Sequence, residues 1–189
     1  MNKLMLLFAS LIVALLFQSC GKSYTHDAAG MKMLQQDLLE KFGTDVWYTN
    51  ISYSVSPDNK NIYVVSADLT DNPESLTQDR WLKEDNTWQK IAKVNLDIQN
   101  GAPRDYMFQL DHGQINLETL GQLITDTRNT LEKEKNISGL KLRIAVVATS
   151  NVVLNQNERF SYTVILEDES GNTFSTTYDL DGKVINRNF

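Results

Sequence analysis

Two C-terminal segments, residues 140–148 and 160–166, place apolar side chains at every second position, and this feature most restricts how the 189-residue chain folds. Successive side chains of a β-strand point to opposite faces of the sheet, so a period of two marks a strand with one apolar face. Runs of this kind are typical of antiparallel sheets that bury one face and leave the other in water. We therefore expect antiparallel sheet, with the apolar side chains of both segments directed into the core.

Two other segments repeat their apolar residues at helical spacing. The first apolar stripe is followed by Gly43, a residue well suited to end a helix. The second is preceded by Asn116, whose side-chain oxygen can accept a hydrogen bond from a first-turn N–H group. The two stripes consist of Met31, Leu34, Leu38 and Phe42, and of Leu117, Leu120, Ile124, Thr127 and Leu131.

Strand-like runs follow each helical segment, so an order of one helix plus about four strands occurs twice. We expect an α+β fold of two tandem helix-plus-four-strand units with antiparallel sheet and the helices packed on one face. The expected units are residues 31–100 and 115–189, joined by a connection at residues 101–114. A run containing Tyr106, Phe108 and Leu110 is a candidate extra strand within the connection.

The N-terminus carries a short apolar segment, residues 4–17, which contains no charged residue and follows Lys3. A basic start before a short apolar core is the layout of a secretory signal. A membrane-spanning helix needs about 20 apolar residues, so this segment is short for a span. We expect residues 1–19 to be a removable export signal and residues 20–30 to be a tether, with a buried helix or an uncleaved anchor as alternatives.

The residues after the apolar segment, Phe17-Gln18-Ser19-Cys20-Gly21, resemble the lipobox of Bacteroidota-type lipoproteins. Ser19 supplies the small residue before the cysteine, whereas Phe17 and Gln18 depart from the commonest pattern. The resemblance implies that Cys20 receives lipid, becomes the first residue of the mature protein and holds it on a membrane. Gly21 in place of an aspartate implies an outer-membrane lipoprotein that faces the periplasm.

The mature part resembles the PepSY-like and β-lactamase-inhibitor-protein-like domains, both in the repeated element order and in the closing segment Tyr178-Asp179-Leu180-Asp181-Gly182-Lys183-Val184-Ile185. The resemblance covers roughly residues 28–189. It implies small α+β repeats that form a sheet with helices on one face, and some members of that family bind or inhibit secreted enzymes. The element order of one unit fits cystatin-like folds nearly as well.

Charge and cysteine content exclude several classes of function. The formal net charge is −6, and loss of residues 1–19 would remove one positive charge and no negative one. An acidic chain repels nucleic acid through its mean field, so we expect no nucleic-acid partner. A single cysteine rules out a disulfide within the chain and a cysteine-rich zinc site.

Catalytic and metal-binding patterns are also weak. His26 lies in the expected tether and His112 in a turn-like Asp-His-Gly sequence, and no nucleophile-elbow motif accompanies either. The acidic turn from Asp179 to Gly182 resembles half of an EF-hand loop but lacks the glutamate six residues after the glycine, where Asn188 stands. We therefore expect no catalytic residue, metal or cofactor. A carboxylate-based hydrolase, which has no local signature, is the least favoured class.

The most distinctive polar segment contains Trp81 and Trp88 on two short strand-like runs. With a two-residue loop at 85–86, Lys83 pairs with Trp88 and Trp81 pairs with Lys90, which puts all four on one face. With a three-residue loop, Trp81 instead shares a face with Ile91. The first register predicts a partly exposed face that is a candidate binding surface, whereas indoles that complete the core are the structural alternative.

The function expected from these observations is that of a non-enzymatic, lipid-anchored protein of the cell envelope that binds a protein or peptide partner. The alternative is a glycan-binding accessory lipoprotein that uses Trp81 and Trp88, because indole rings can stack on sugars. Exposed aromatic residues on the sheet would favour a glycan. A smooth sheet face without aromatic residues would favour a protein partner.

Overall fold

Two helices and eight strands make up the part of the chain that the computed structural model describes, residues 24–56, 62–84, 86–98, 101–111, 113, 115–149 and 159–189. The elements in chain order are α1 (Ala28–Phe42), β1 (Trp47–Val55), β2 (Tyr63–Thr70), β3 (Thr77–Glu84), β4 (Thr87–Asn95), a 3-10 turn (Pro103–Tyr106), α2 (Leu117–Lys135), β5 (Lys141–Thr149), β6 (Phe160–Glu167), β7 (Thr173–Tyr178) and β8 (Val184–Asn188).

All eight strands form one antiparallel sheet in the order β4-β3-β2-β1-β5-β6-β7-β8. Its centre is the pair β1–β5, in which Tyr53 lies opposite Ala145. The expectation of two tandem helix-plus-four-strand units is therefore wrong, because one sheet runs without a break through both halves of the chain. The physical reason is that β1 and β5 would each expose an unpaired backbone edge in a separate unit, and pairing them satisfies both edges.

Each helix begins and ends at a recognisable cap. The Asp27 carboxylate accepts from the Gly30 N–H at 2.9 Å and starts α1, which Gly43 ends with φ of 89°. The Asn116 side chain accepts from the Glu118 N–H at 2.8 Å and starts α2. The caps predicted at Gly43 and Asn116 are thus confirmed, since glycine readily adopts positive φ and a side-chain oxygen satisfies a free N–H group.

One hydrophobic core lies between the helices and one face of the sheet. The two helices also contact each other. Residues from five strands and both helices belong to this single core, among them Met31, Leu34, Leu38, Ile51, Tyr53, Val65, Ala67, Leu120, Ile124, Ala145, Val147, Tyr162, Val164 and Tyr178.

A β-bulge in β5 changes which residues enter the core. The pairing with β6 shifts between Leu142 and Ile144. After the shift, Ala145 and Val147 are fully buried on the helix side. Ile144, like Val146 and Ala148 beyond it, therefore lies on the opposite face, so the expectation of one continuous apolar face from residue 140 to 148 is wrong. The bulge inserts one extra residue, and one residue is enough to reverse the face of every later side chain.

Between β4 and α2, the described residues form no extra strand. They form the 3-10 turn and then a single bridge between Phe108 and Tyr48, whose N–H and C=O groups exchange hydrogen bonds of 2.8 Å. The Phe108 and Tyr48 rings stack with centroids 5.9 Å apart. Phe108 thereby closes the core at the start of β1.

Several expectations fall on residues outside the described ranges, namely the export signal at residues 1–19, the lipidated Cys20 and the turn histidine His112. Within the described ranges, neither helix has the length and apolar character needed to cross a bilayer. Residues 24–30, expected as the end of a tether, are instead packed, because Tyr24 is buried and α1 begins at Ala28.

Candidate functional site

The β3–β4 hairpin has the register predicted for a two-residue loop. Glu84 pairs with Thr87, Lys83 with Trp88, and Trp81 with Lys90. Asn86 has φ of 65°, a left-handed conformation that tight hairpin turns require. The predicted pairing is confirmed, so the four candidate residues share one face of the hairpin.

That face is directed toward α1. Trp81 lies opposite the buried Ala67 of β2, which places its ring on the core side of the sheet. The Phe42 ring at the end of α1 makes edge contacts with both indoles, at centroid distances of 5.3 Å to Trp81 and 5.1 Å to Trp88. Both indoles are half-buried and pack on the edge of the core.

Lys83 is the residue of this group whose environment differs most from expectation. It is 5% exposed, although the predicted register was expected to leave this face partly exposed. Its Nζ atom donates to the Asp37 carboxylate and to the Tyr24 hydroxyl, both at 2.6 Å. A buried ammonium is tolerated because a carboxylate and a hydroxyl replace its water.

Asp37 joins this polar cluster to the hairpin. Its carboxylate also accepts from the Trp88 indole N–H at 3.2 Å. Burial raises the pKa of Asp37, but the hydrogen bonds from Lys83 and Tyr24 outweigh it and hold the pKa below its ordinary value. Burial, followed by the neighbouring Asp37 carboxylate, raises the pKa of Tyr24. Asp37 is thus a carboxylate, and Tyr24 a neutral phenol, across the physiological range.

Lys90 is the exposed counterpart of Lys83. Its ammonium lies 2.6 Å from the Asp79 carboxylate, with side-chain exposures of 44% and 33%. Two lysines of one hairpin therefore make ion pairs of equal length in different surroundings. Only the pair of Lys83 lies within the fold.

A groove of about 590 Å³ lies between the end of α1 and the start of β3. Its lining combines the Trp81 ring with hydrogen-bonding and charged side chains, and Trp88 is not part of it. The Lys41 ammonium lies 5.6 Å from the Trp81 ring centroid and partly covers that ring. The polar lining consists of Lys41, Thr70, Asp71, Asn72, Ser75, Thr77, Asp79 and Lys93.

The opposite side of the sheet, which we call the helix-free face, was not singled out by the sequence. Its residues alternate with the core residues on β3, β2, β1, β5, β6 and β7. Trp47, which pairs with Thr70 at the start of β1, is the aromatic residue on this side, and most of the residues are half-buried by their neighbours on the sheet. The others are Arg80 and Leu82, Val64, Ser66 and Asp68, Asn50, Ser52 and Ser54, Ile144, Val146 and Ala148, Ser161, Thr163 and Ile165, and Ser175 and Thr177.

The charges on the helix-free face neutralise each other. Arg80 makes a bidentate ion pair with Asp68, with distances of 2.6 and 2.7 Å. The hydrogen bond to Asp68 raises the pKa of Arg80. Ser52, near the middle of this face, lies between Ser66 and Val146 on the neighbouring strands. Small and β-branched side chains therefore form an even surface over the middle of this face.

The acidic turns use their carboxylates within the turn. Asp168 accepts from the Ser170 and Asn172 backbone N–H groups and from the Asn172 amide. The Asn172 amide is the main cause of the lowered pKa of Asp168. Asp179 accepts from the Lys183 N–H at 2.8 Å, which confirms the predicted closing turn. The described residues contain no group of three metal-ligating side chains.

Comparison with known proteins adds no relative to this description. No protein-family model, curated protein or solved structure matches the chain. The resemblances to lipoproteins and to PepSY-like domains consequently depend on the sequence motifs alone.

Proposed function

We propose that this protein is a non-enzymatic, lipid-anchored protein of the cell envelope that binds a protein or peptide partner on its helix-free face. The observation that carries the proposal is the even surface of small and β-branched side chains over the middle of that face, with Trp47 at one end. Sugar sites usually offer a cluster of aromatic rings for stacking, whereas short side chains over a wide area let another polypeptide approach the sheet closely.

The size of the face supports this assignment. Six strands spaced about 4.8 Å apart, each contributing about eight residues at 3.3 Å, cover roughly 750 Å². A standard protein–protein interface buries about 800 Å² on each partner. The helix-free face is therefore large enough for a specific complex, with the Arg80–Asp68 pair as a polar contact within it.

Photo-crosslinking in cells tests the location of the partner site. A photoreactive amino acid replaces Ser66 or Thr163 on the helix-free face, and Gln122, exposed on α2, serves as the control position. We expect adducts of discrete mass from positions 66 and 163 and none from position 122. The added substitution Thr163→Arg should abolish the adduct at position 66, because one partner covers both. Equal adducts from position 122 contradict the proposal.

Lipid attachment is tested separately. Cys20 is the residue that the lipobox resemblance assigns to lipid, and two or three acyl chains would hold the protein stably because each buried CH₂ contributes about 0.8 kcal/mol. Metabolic labelling with a fatty-acid analogue should mark the native chain and leave Cys20→Ser unmarked. Equal labelling of both chains would remove the anchor from the proposal.

A glycan ligand is the second candidate, and the observation that favours it is the position of Trp81 in the groove beside Asp71 and Asn72. An aromatic ring flanked by hydrogen-bonding side chains is the usual composition of a sugar site. Titration with a panel of oligosaccharides should detect binding that Trp81→Ala abolishes. Trp88→Ala is the matched control, because Trp88 also packs on Phe42 but does not line the groove. Equal loss in both variants contradicts this candidate.

A further inference from the structure

The first described residues are fixed to the fold by side-chain and backbone contacts. The Tyr24 hydroxyl accepts from Lys83, and the Tyr24 carbonyl accepts from the Tyr53 hydroxyl at 2.9 Å. His26 packs against the rings of Tyr53 and Tyr63, with centroids 5.6 and 4.4 Å away. Tyr24 and His26, which precede α1, are therefore already part of the packed fold.

Two glycines allow this segment to lie close to both helices. A Cβ atom on Gly30 of α1 would come within 2.0 Å of the Thr25 carbonyl oxygen. A Cβ atom on Gly121 of α2 would come within 2.3 Å of the Asp27 carbonyl oxygen. Real Cβ atoms do not approach backbone atoms this closely, so residues 25–27 lie in a position that any larger side chain would block.

The distance from this fixed point to the expected lipid is short. Cys20 precedes Tyr24 by four residues. Four residues span at most about 14 Å when fully extended. The headgroup layer on each side of the hydrocarbon core is itself about 5 to 8 Å thick. The fold thus has less than about 10 Å of free reach beyond the headgroups.

Tyr24 lies at one end of the sheet, and the groove lies at the other end. Tyr24 contacts Lys83 near the end of β3 and Tyr53 near the end of β1. The groove residue Asp71 follows β2, six residues beyond Val65, which pairs with Lys83. Six residues of strand cover about 20 Å, so the tether holds the Tyr24 end close to the membrane, whereas the groove lies about 20 Å farther along the strands.

We propose that the Tyr24 end of the sheet faces the phospholipid headgroups and that the groove end points away from the membrane into the aqueous space. This inference rests on the lipidation of Cys20 proposed above. The exposed residues of the Tyr24 end include Thr25, Asp27, Glu84 and Thr87. Two carboxylates among them keep this end out of the hydrocarbon, because burying an unpaired charge is costly. The short covalent tether, rather than charge attraction, sets the orientation.

Short-range fluorescence quenching measures the orientation. Lipidation consumes the Cys20 thiol, so an introduced cysteine carries the only free thiol of the lipidated chain. Glu84→Cys labels the Tyr24 end and Asp71→Cys labels the groove end, both at exposed positions. The labelled, lipidated proteins are reconstituted into vesicles of phosphatidylethanolamine and phosphatidylglycerol that contain a headgroup-attached nitroxide quencher. We expect quenching several-fold stronger at position 84 than at position 71.

A longer tether provides the matched control. Twelve Gly/Ser residues inserted between Lys22 and Ser23 add roughly 20 Å of average reach. The difference between positions 84 and 71 should then largely disappear, although the protein remains on the vesicles. Equal quenching at both positions in the native-length chain overturns the orientation while leaving the anchor intact. Vesicle binding by Cys20→Ser equal to that of the native chain overturns the anchor itself.

Discussion

The Lys83 ammonium and the Asp37 carboxylate lie 2.6 Å apart, with only 6% and 13% of their side chains exposed. This pair joins β3 to α1 and, through Tyr24, holds the segment before α1 on the fold. Removing one partner of such a pair leaves the other charge buried without compensation. The pair therefore contributes more to structural specificity than the exposed ion pairs do.

Lys83→Ala should lower the free energy of unfolding by about 3 to 5 kcal/mol, because it leaves the Asp37 carboxylate buried and unpaired. Lys90→Ala is the matched control, since Lys90 pairs with Asp79 at the same distance on the surface. Lys90→Ala should lower the free energy of unfolding by less than about 1 kcal/mol. Urea unfolding of both variants gives the comparison, and equal costs would mean that burial of the Lys83 pair has no energetic consequence.

Trp88→Phe should destabilise the protein more than Trp81→Phe, by about 1 kcal/mol, the usual net value of a hydrogen bond. Both indoles make an edge contact with Phe42, but the hydrogen bond to Asp37 comes from Trp88. Thermal or urea unfolding of the two variants separates the hydrogen bond from the ring contact. A larger loss for Trp81→Phe would argue against this contribution of Trp88.

Gly121→Ala and Gly30→Ala should each destabilise the fold by about 1 to 3 kcal/mol, the usual cost of overpacking. Alanine favours a helix over glycine by about 1 kcal/mol, so the helical preference alone predicts the opposite sign. Gln122→Ala, at the exposed neighbouring position on α2, should change stability by less than about 0.5 kcal/mol. Stabilisation by either glycine substitution would show that residues 25–27 do not lie against the helices.

Stability should fall as the pH drops below about 6.5, the ordinary pKa of histidine. Burial, followed by the nearby Arg128, lowers the pKa of His26 in the fold, whereas Asp27 opposes the shift. His26 therefore binds a proton more readily in the unfolded chain than in the folded chain, so acidification favours unfolding. The contribution of neutral His26 to stability is complete above its pKa in the unfolded chain. It is lost as the pH falls toward its lower pKa in the folded chain.

The variant His26→Phe, which keeps a ring against Tyr53 and Tyr63, should flatten this dependence between about pH 7 and pH 5. Unfolding free energies measured across that range test it. An unchanged slope in the variant would assign the dependence to another group. The lowered pKa of Asp37 acts in a separate window, below about pH 4, because its stabilisation is lost only as the carboxylate is protonated.

Local patterns predicted the local structure well where one residue decides the outcome. The caps at Asn116 and Gly43 and the pairing of Trp81 with Lys90 follow from single residues and a loop length. The burial of Lys83 did not follow, because its partner Asp37 is 46 residues away in the chain. No spacing rule connects a lysine on a strand with an aspartate on a distant helix.

The helix-free face was missed for a similar reason. Ile144, Val146 and Ala148 read as core residues by their period of two, and only the bulge after Leu142 turns them to the other face. A bulge has no strong local signature in this segment. Its effect appears only when β5 is paired with β6.

The sequence by itself determined the end of α1, the start of α2, the β3–β4 turn and the presence of antiparallel strands, because these depend on contacts between residues a few positions apart. Only the tertiary structure decided that the strands form one sheet, that Lys83 is buried and that Tyr24 and the residues after it pack on the fold. Pairing of β1 with β5 joins residues about 90 positions apart, such as Tyr53 and Ala145. Such pairings are decided by burial of one common core and by satisfaction of backbone hydrogen bonds, which are properties of the whole chain.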